Sequence, residues 1–146
     1  KLKSTSIHAG RVIPSGAINS SYNSSYHVGL DVDYCFTENL SALGLLGYNH
    51  FVSGSSSVSD TYWWNISANL KYKFTTSALR PYINFGPGVY IPGSGSKKPG
   101  LNIGLGLDIS LTSDWTIELG GDYHHVFTGG SDTSFFVPHI GLIYRL

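Results

Sequence analysis

Along most of the chain apolar and polar residues alternate, and runs of Ser, Gly, Asn and Pro break the alternation at regular intervals. In YHVGLDVDYCF, Tyr26, Val28, Leu30, Val32, Tyr34 and Phe36 alternate with His27, Gly29, Asp31, Asp33 and Cys35. GLNIGLGLDISL sets Leu101, Ile103, Leu105, Leu107, Ile109 and Leu111 against Asn102, Gly104, Gly106, Asp108 and Ser110, and YWWNISANLKYKF repeats the pattern. A period of two is the signature of strands with one apolar face, and it predicts eight of them, at 4–13, 26–36, 41–51, 61–74, 81–91, 101–111, 115–127 and 135–146. Most of these are long. A tilted strand crosses a bilayer in about 9 to 11 residues, whereas soluble strands average about five or six. In the third, SALGLLGYNHF, neither face is polar enough to fix the orientation.

The connections alternate as well. TENL (37–40), TTSA (75–78) and TSD (112–114) are tight, whereas 14–25, 52–60, 92–100 and 128–134 are longer. Short turns at one end, together with both termini, and long loops at the other are the asymmetry of a membrane barrel with periplasmic turns and extracellular loops. Composition then decides the polarity of the barrel. Charged residues make up 12% of the chain and Lys plus Arg balances Asp plus Glu at 9 each, so no global field points to nucleic acid. The polar face carries Gly29, Gly104, Gly106, Gly120 and Gly141, small residues that suit a crowded interior, while the row Leu101 to Leu111 would be a large apolar patch in water. Tyr34, Phe36, Tyr72, Phe74, Trp115 and Tyr144 fall at the short-turn ends and Tyr26, Tyr62, Trp64, Tyr123 and Phe136 at the long-loop ends, as two interfacial girdles require. No run approaches the about 18 apolar residues of a spanning helix. Cys35 is alone and reads as a small filler. The opening KLKSTSIHAG has no apolar signal-type run, as a processed chain would not. One domain over 1–146 is expected: an all-β, eight-stranded, antiparallel up-and-down transmembrane β-barrel.

The final HIGLIYRL resembles the C-terminal assembly signal of outer-membrane β-barrel proteins, through His139, Gly141, Tyr144 and Leu146, with Leu in place of the usual terminal Phe. With RPYINFGPGVY and DYHHVF, it makes nearly the whole chain similar to the small outer-membrane barrels of OmpA, OmpX and OmpW type. The resemblance implies a bacterial outer-membrane location, recognition by the barrel-assembly machinery, and contact with outer-membrane lipid and lipopolysaccharide. Some small barrels modify lipid A acyl chains, but the His-x-Ser-Asn signature of the deacylases is absent, and His125 with Ser131 or Asp132 makes a triad only under an assumed loop geometry. No enzyme is expected.

With this orientation the lumen receives a charge network of Asp31, Asp33, Lys71, Lys73, Asp108, Glu118, Asp122 and Arg145, and a histidine cluster of His8, His27, His124 and His139. Eight strands leave room only for side chains, so the network reads as a plug. Imidazoles ligate transition metals, but hydrogen-bonded lumen histidines are commoner, and neither a metal nor a cofactor is expected. Function is then expected in the long loops, where Tyr22 and Tyr26 anchor Ser- and Asn-rich stretches for a surface protein partner and Lys97 and Lys98 meet outer-leaflet phosphates. A narrow channel for ions or small apolar molecules, as in the OmpW type, is the alternative, and an acyl-modifying enzyme the third reading.

Overall fold

The computed structural model describes residues 3–16, 25–51, 61–93, 96–130 and 132–146. Eight antiparallel strands close into one barrel: β1 (Lys3–Gly16), β2 (Ser25–Cys35), β3 (Leu40–Phe51), β4 (Thr61–Lys73), β5 (Leu79–Pro92), β6 (Lys98–Ser110), β7 (Trp115–Val126) and β8 (Thr133–Arg145). Each pairs with the next, and β8 pairs back to β1 from Ser4↔Arg145 to Gly16↔Thr133. The ends differ from the sequence ranges by up to three residues, most at β1 and β6. There the ladder carries on through residues that read as loop: Lys98 pairs with Tyr90, and Gly16 with Thr133.

Register settles the third strand, because ladder partners face the same side. Asn49 lies opposite His27 and Trp63, and Gly47 opposite Gly29 and Asn65, so Ser41, Leu43, Leu45, Gly47, Asn49 and Phe51 share the inward face. The strand is ambiguous in sequence because leucines stand on both of its faces: Leu43 is buried and Leu46 exposed.

The outer wall is apolar. Ile7, Leu30, Ile66, Leu105 and Ile140 are each more than half exposed, a continuous band that water would not tolerate and lipid would. Aromatic pairs flank it at the short-turn end, with ring centroids 5.5 Å apart for Tyr34 and Phe36, 5.3 Å for Tyr72 and Phe74, and 4.7 Å for Trp115 and Tyr144. The tight turns are held by threonine: Thr37 Oγ1 accepts from the N–H groups of Asn39 and Leu40, and Thr112 Oγ1 from those of Asp114 and Trp115.

Inside, glycines make room for large polar side chains. A Cβ at Gly106 or Gly120 would run into the Tyr82 hydroxyl, and one at Gly29 into the His8 ring. Small residues opposite large ones let so narrow an interior close on itself.

Candidate functional site

The lumen is stacked in layers, beginning with a vestibule of about 780 Å³ open at the short-turn end. Asp33, Lys73, Arg80, Asp114 and Arg145 line it, with Asp108 reaching its inner end. Arg80 Nη2 donates to Ser110 Oγ at 2.7 Å. Lys73 is half-buried and Arg145 exposed here.

Directly above lies a buried ion triad. Asp108 and Glu118 are ladder partners on β6 and β7, which sets two carboxylates side by side. Lys71 crosses the lumen from β4 to answer both, its Nζ 2.8 Å from Asp108 Oδ2 and 2.9 Å from Glu118 Oε2. The same ammonium sits 4.1 Å from the centroid of the Tyr82 ring. A multiply hydrogen-bonded cation among two carboxylates and a π-face is how a charged cluster survives burial.

The third layer holds the histidines. Closure brings β8, β1 and β2 side by side, so His8 stacks on His27 at 4.9 Å and lies 5.1 Å from the His139 ring. His8 Nε2 meets Asp31 Oδ1 at 3.0 Å, His27 Nε2 meets His8 Nδ1 at 3.1 Å, and His27 Nδ1 meets Asn49 Oδ1 at 2.7 Å. Asn49 Nδ2 is committed to the Trp63 carbonyl and Asn65 Oδ1, so its oxygen faces His27, whose Nδ1–H must donate. Asp31, His8, His27 and Asn49 thus form one continuous hydrogen-bonded chain through two rings. His139 Nε2 lies 3.1 Å from Asp122 Oδ2. Beside this layer the residual space is about 20 Å³, enough for one water molecule. No group of three or more metal-binding side chains converges among the described residues.

Above the histidines the lumen turns apolar, which the sequence reading did not anticipate. Val12, Phe51, Trp63, Tyr90, Val126, Phe135 and Val137, drawn from six strands, form one buried cluster across the barrel. Phe51 meets Phe135 edge-on at 5.5 Å. His124 lines the same small space as the other three histidines and also reaches this cluster, its ring 4.7 Å from that of Phe135 and its Nδ1 2.7 Å from Tyr90 Oη. The register explains this, since it sets His124 opposite Asn102 and Phe135, nearer the long-loop end than His139. The expected single charge network is thus divided: Lys71, Asp108 and Glu118 form the triad, Asp31 and Asp122 join histidines, and Asp33, Lys73 and Arg145 line the vestibule.

Two features face outward. A groove of about 640 Å³ on the wall is lined by Leu70, Phe85, Pro87, Leu101, Ile103 and Tyr123, with His125 at its rim. Behind it the β4–β5 ladder stops between Ser67↔Gly88 and Leu70↔Phe85, because Pro87 brings no N–H. His125 Nε2 lies 3.0 Å from Asp132 Oδ2, and the Thr128 N–H donates to Asp132 Oδ1 at 3.1 Å. These two contacts, the Thr128 amide first, hold the Asp132 carboxyl below the usual carboxylate range. Ser131, the other member of the conceivable triad, lies outside the described residues.

The family model for the outer membrane protein beta-barrel domain matches residues 8–145. The chain belongs to that family. No curated protein matches it. Among solved structures, Neisserial surface protein A (NspA) is similar at a TM-score of 0.75 with 16% identity, over 99% of this chain and 97% of its own. Ail, the attachment invasion locus protein of Yersinia pestis, is similar at 0.67 with 16% identity over 99% and 98%, and is also known in complex with the heparin analogue sucrose octasulfate. OprG from Pseudomonas aeruginosa is similar at 0.66 with 16% identity over 100% and 97%. The barrel therefore resides in the bacterial outer membrane, and short turns in such barrels face the periplasm.

Of the residues expected at the cell surface, Tyr22 lies outside the described residues and Lys97 is exposed. Two expectations need correction. Tyr26 is a strand residue, paired with Arg11 and His50 and exposed on the lipid side, so it does not anchor a loop. Lys98 is the first residue of β6 and half-buried, because pairing with Tyr90 extends the strand into the predicted loop. In the terminal segment, His139 lies in the lumen, Gly141 lies opposite His8, Tyr144 packs on Trp115, and Leu146 is exposed.

Proposed function

We propose that this outer-membrane barrel is a closed, non-enzymatic support that meets a surface partner through its extracellular connections, above all the Tyr-, Ser- and Asn-containing 17–24 and the Ser-rich 52–60 segments. The observation that carries the reading is the apolar cap of Val12, Phe51, Trp63, Tyr90, Val126, Phe135 and Val137, stacked over the histidine layer and the Lys71 triad. An ion entering the vestibule meets a buried ion cluster, then space for one water, then a dry plug. Each layer alone is a barrier to a hydrated ion. The terminal residues His139, Gly141, Tyr144 and Leu146 serve as the signal read by the barrel-assembly machinery.

Conductance tests the reading. Refolded protein in a planar bilayer, with insertion verified by a heat-modifiable gel shift, is expected to stay silent. Steady openings whose size changes in Asp33→Asn would overturn the closed lumen and move function into it. A second reading, a lateral path for small apolar molecules, draws on the groove at Pro87 and the interrupted ladder behind it, where Asn69 Nδ2 bonds Asn84 Oδ1 at 2.9 Å and also Asn102. Uptake of a small apolar dye into proteoliposomes that is unchanged by Pro87→Val would remove it.

A further inference from the structure

The vestibule at the periplasmic end holds its charges differently from the layer above it. There Lys71 answers Asp108 and Glu118 at 2.8 and 2.9 Å. In the vestibule, Asp33, Lys73, Arg80 and Arg145 line one space of about 780 Å³, yet among the described residues none of them forms an ion pair with another. Arg80 makes one side-chain hydrogen bond, to Ser110 Oγ.

Asp33 is the sharpest case. It is 8% exposed, and its carboxylate has one contact among the described residues, the Cys35 thiol at 3.9 Å. Asp108, 2% exposed, leaves Oδ1 without a partner at the inner end of the same space. A carboxylate taken so far out of water needs a cation or several donors to offset its desolvation. The ladder brings one within two strands, since Asp33 pairs with Ser4 and Ser4 with Arg145, but the Arg145 side chain is exposed at the mouth and does not pair with it. The space that Asp33 faces therefore suits a cation from outside the chain.

The opposite charge stands elsewhere on the ring. Asp33 is on β2, whereas Lys73 and Arg80 are at the adjoining ends of β4 and β5, two and three strands away in a closed set of eight. Round the other side, Ser4, Thr116 and Ser110 on β1, β7 and β6 present hydroxyls, which both donate and accept and so suit amide groups. With Asp108 answered by Lys71, the acids Asp33, Glu38 and Asp114 face the bases Lys73, Arg80 and Arg145, a balance that favours neither a pure anion nor a pure cation. A free amino acid carries both charges on one residue, whereas a short peptide sets its ends apart by about 3.3–3.6 Å per residue. Opposite charges on separated strands, with hydroxyls around them, call for the peptide. The triad closes the inner end, so such a ligand enters and leaves by the mouth.

We infer that the periplasmic vestibule is a binding site for a short peptide with free ends, its ammonium on Asp33 and its terminal carboxylate on Arg80 and Lys73. The site occupies one end of the lumen and stands whether the barrel is a closed support or conducts.

Cys35 is the single thiol of the chain and lines the same space, half-buried, which makes it the reporter. The full chain refolded in nanodiscs is treated with a methanethiosulfonate reagent, and labelling of Cys35 is followed by mass spectrometry with and without millimolar trialanine. In wild type, trialanine should slow the labelling several-fold. Capping one end, as acetyl-trialanine or trialanine amide, removes one charge-assisted contact and should raise the concentration needed about tenfold. Asp33→Asn should lose the distinction between trialanine and its acetylated form, and Arg80→Gln most of that between trialanine and its amide, each measured against its own rate without peptide. Lys97→Ala, at the far end of the barrel, should match wild type. The capped peptides probe the wild-type protein, so the answer does not hang on either variant folding. No protection by trialanine would overturn the proposal, and so would equal protection by the doubly capped acetyl-trialanine amide. Equal protection by putrescine would reduce the vestibule to a cation site, and equal protection by alanine would remove the need for separated charges; either result would overturn it as well.

Discussion

Replacing Lys71 by methionine puts the lumen to its severest test, because one side chain there answers two carboxylates. Lys71, Asp108 and Glu118 are all under 10% exposed as side chains, with contacts of 2.8 and 2.9 Å. At an effective dielectric constant of about 20, each contact is worth about 6 kcal/mol of gross attraction. Desolvation of three ions costs several kcal/mol apiece, so the intact triad contributes little net stability. Removing only the cation is different. The two carboxylates, already ladder partners, keep their desolvation cost and lose its compensation, and truncating one member of such a buried pair costs about 3–5 kcal/mol. That is two to nearly four powers of ten in the folding equilibrium, at about 1.4 kcal/mol each.

The assay is equilibrium unfolding in guanidinium from phospholipid vesicles, followed by tryptophan fluorescence. Its decisive comparison is the triple variant Lys71→Met, Asp108→Asn, Glu118→Gln, which removes the charges together and should recover most of the loss. A single variant within about 1 kcal/mol of wild type, below the range for a broken buried pair, would refute the reasoning. So would a triple variant as unstable as the single one, since the penalty would then lie in packing around Tyr82 rather than in charge.

Three further outcomes are expected. Gly120→Ala should cost about 1–3 kcal/mol by overpacking, because its Cβ meets the Tyr82 hydroxyl, and adding Tyr82→Phe should relieve much of this in a double-mutant cycle; additive effects would count against the contact. Phe135→Ala removes the ring that touches Phe51, Tyr90 and His124 and should cost about 3–5 kcal/mol in the same unfolding assay, while leaving the bilayer silent because the triad remains below it. The Asp132 clasp should depend on acid: its carboxyl is depressed in the folded protein, so the clasp is fully present above the ordinary carboxylate value of about 4 and is lost as pH falls through the lower folded value. Amide exchange at Thr128 should accelerate only in that acid window, and Asp132→Asn should abolish the dependence.

Much of this barrel is legible in its sequence because a period of two assigns every residue of a strand to one of two faces. His8, His27 and His139 could be grouped from sequence since they share the inward phase and closure makes β8, β1 and β2 neighbours. Phase is silent where both faces have the same character. In β3 leucines occupy both sides, and Phe135, Phe136 and Val137 run on without a polar break, so only pairing with neighbours sorts them. The partner of the Asp108–Glu118 pair was beyond reach for another reason. Lys71 stands on β4, which is adjacent to neither β6 nor β7, and the contact spans the lumen.

Height along the barrel axis is the quantity that phase omits, and height sorts these residues by role. His124 shares the inward phase of the other three histidines, yet register sets it beside Phe135 and under a tyrosine hydroxyl, where the histidine layer meets the dry cap. Tyr26 shares the outward phase of Val28 and Leu30, but its row also holds Arg11, His50 and Tyr62, which makes it part of an interfacial platform rather than of the lipid band. Both assignments follow from one rule: in an antiparallel barrel, residues joined by ladder pairs lie in one row across the wall. A row gathers chemistry from four or five strands that the sequence scatters over fifty residues or more. The inner rows of this protein put ionic groups toward the periplasm and a dry cap toward the cell surface, and one of its outer rows sets Arg11 and the rings of Tyr26, His50 and Tyr62 side by side. The order of the inner rows is what the proposal of a closed barrel rests on, and the outer row of tyrosines, histidine and arginine sets the depth at which the wall meets the membrane interface.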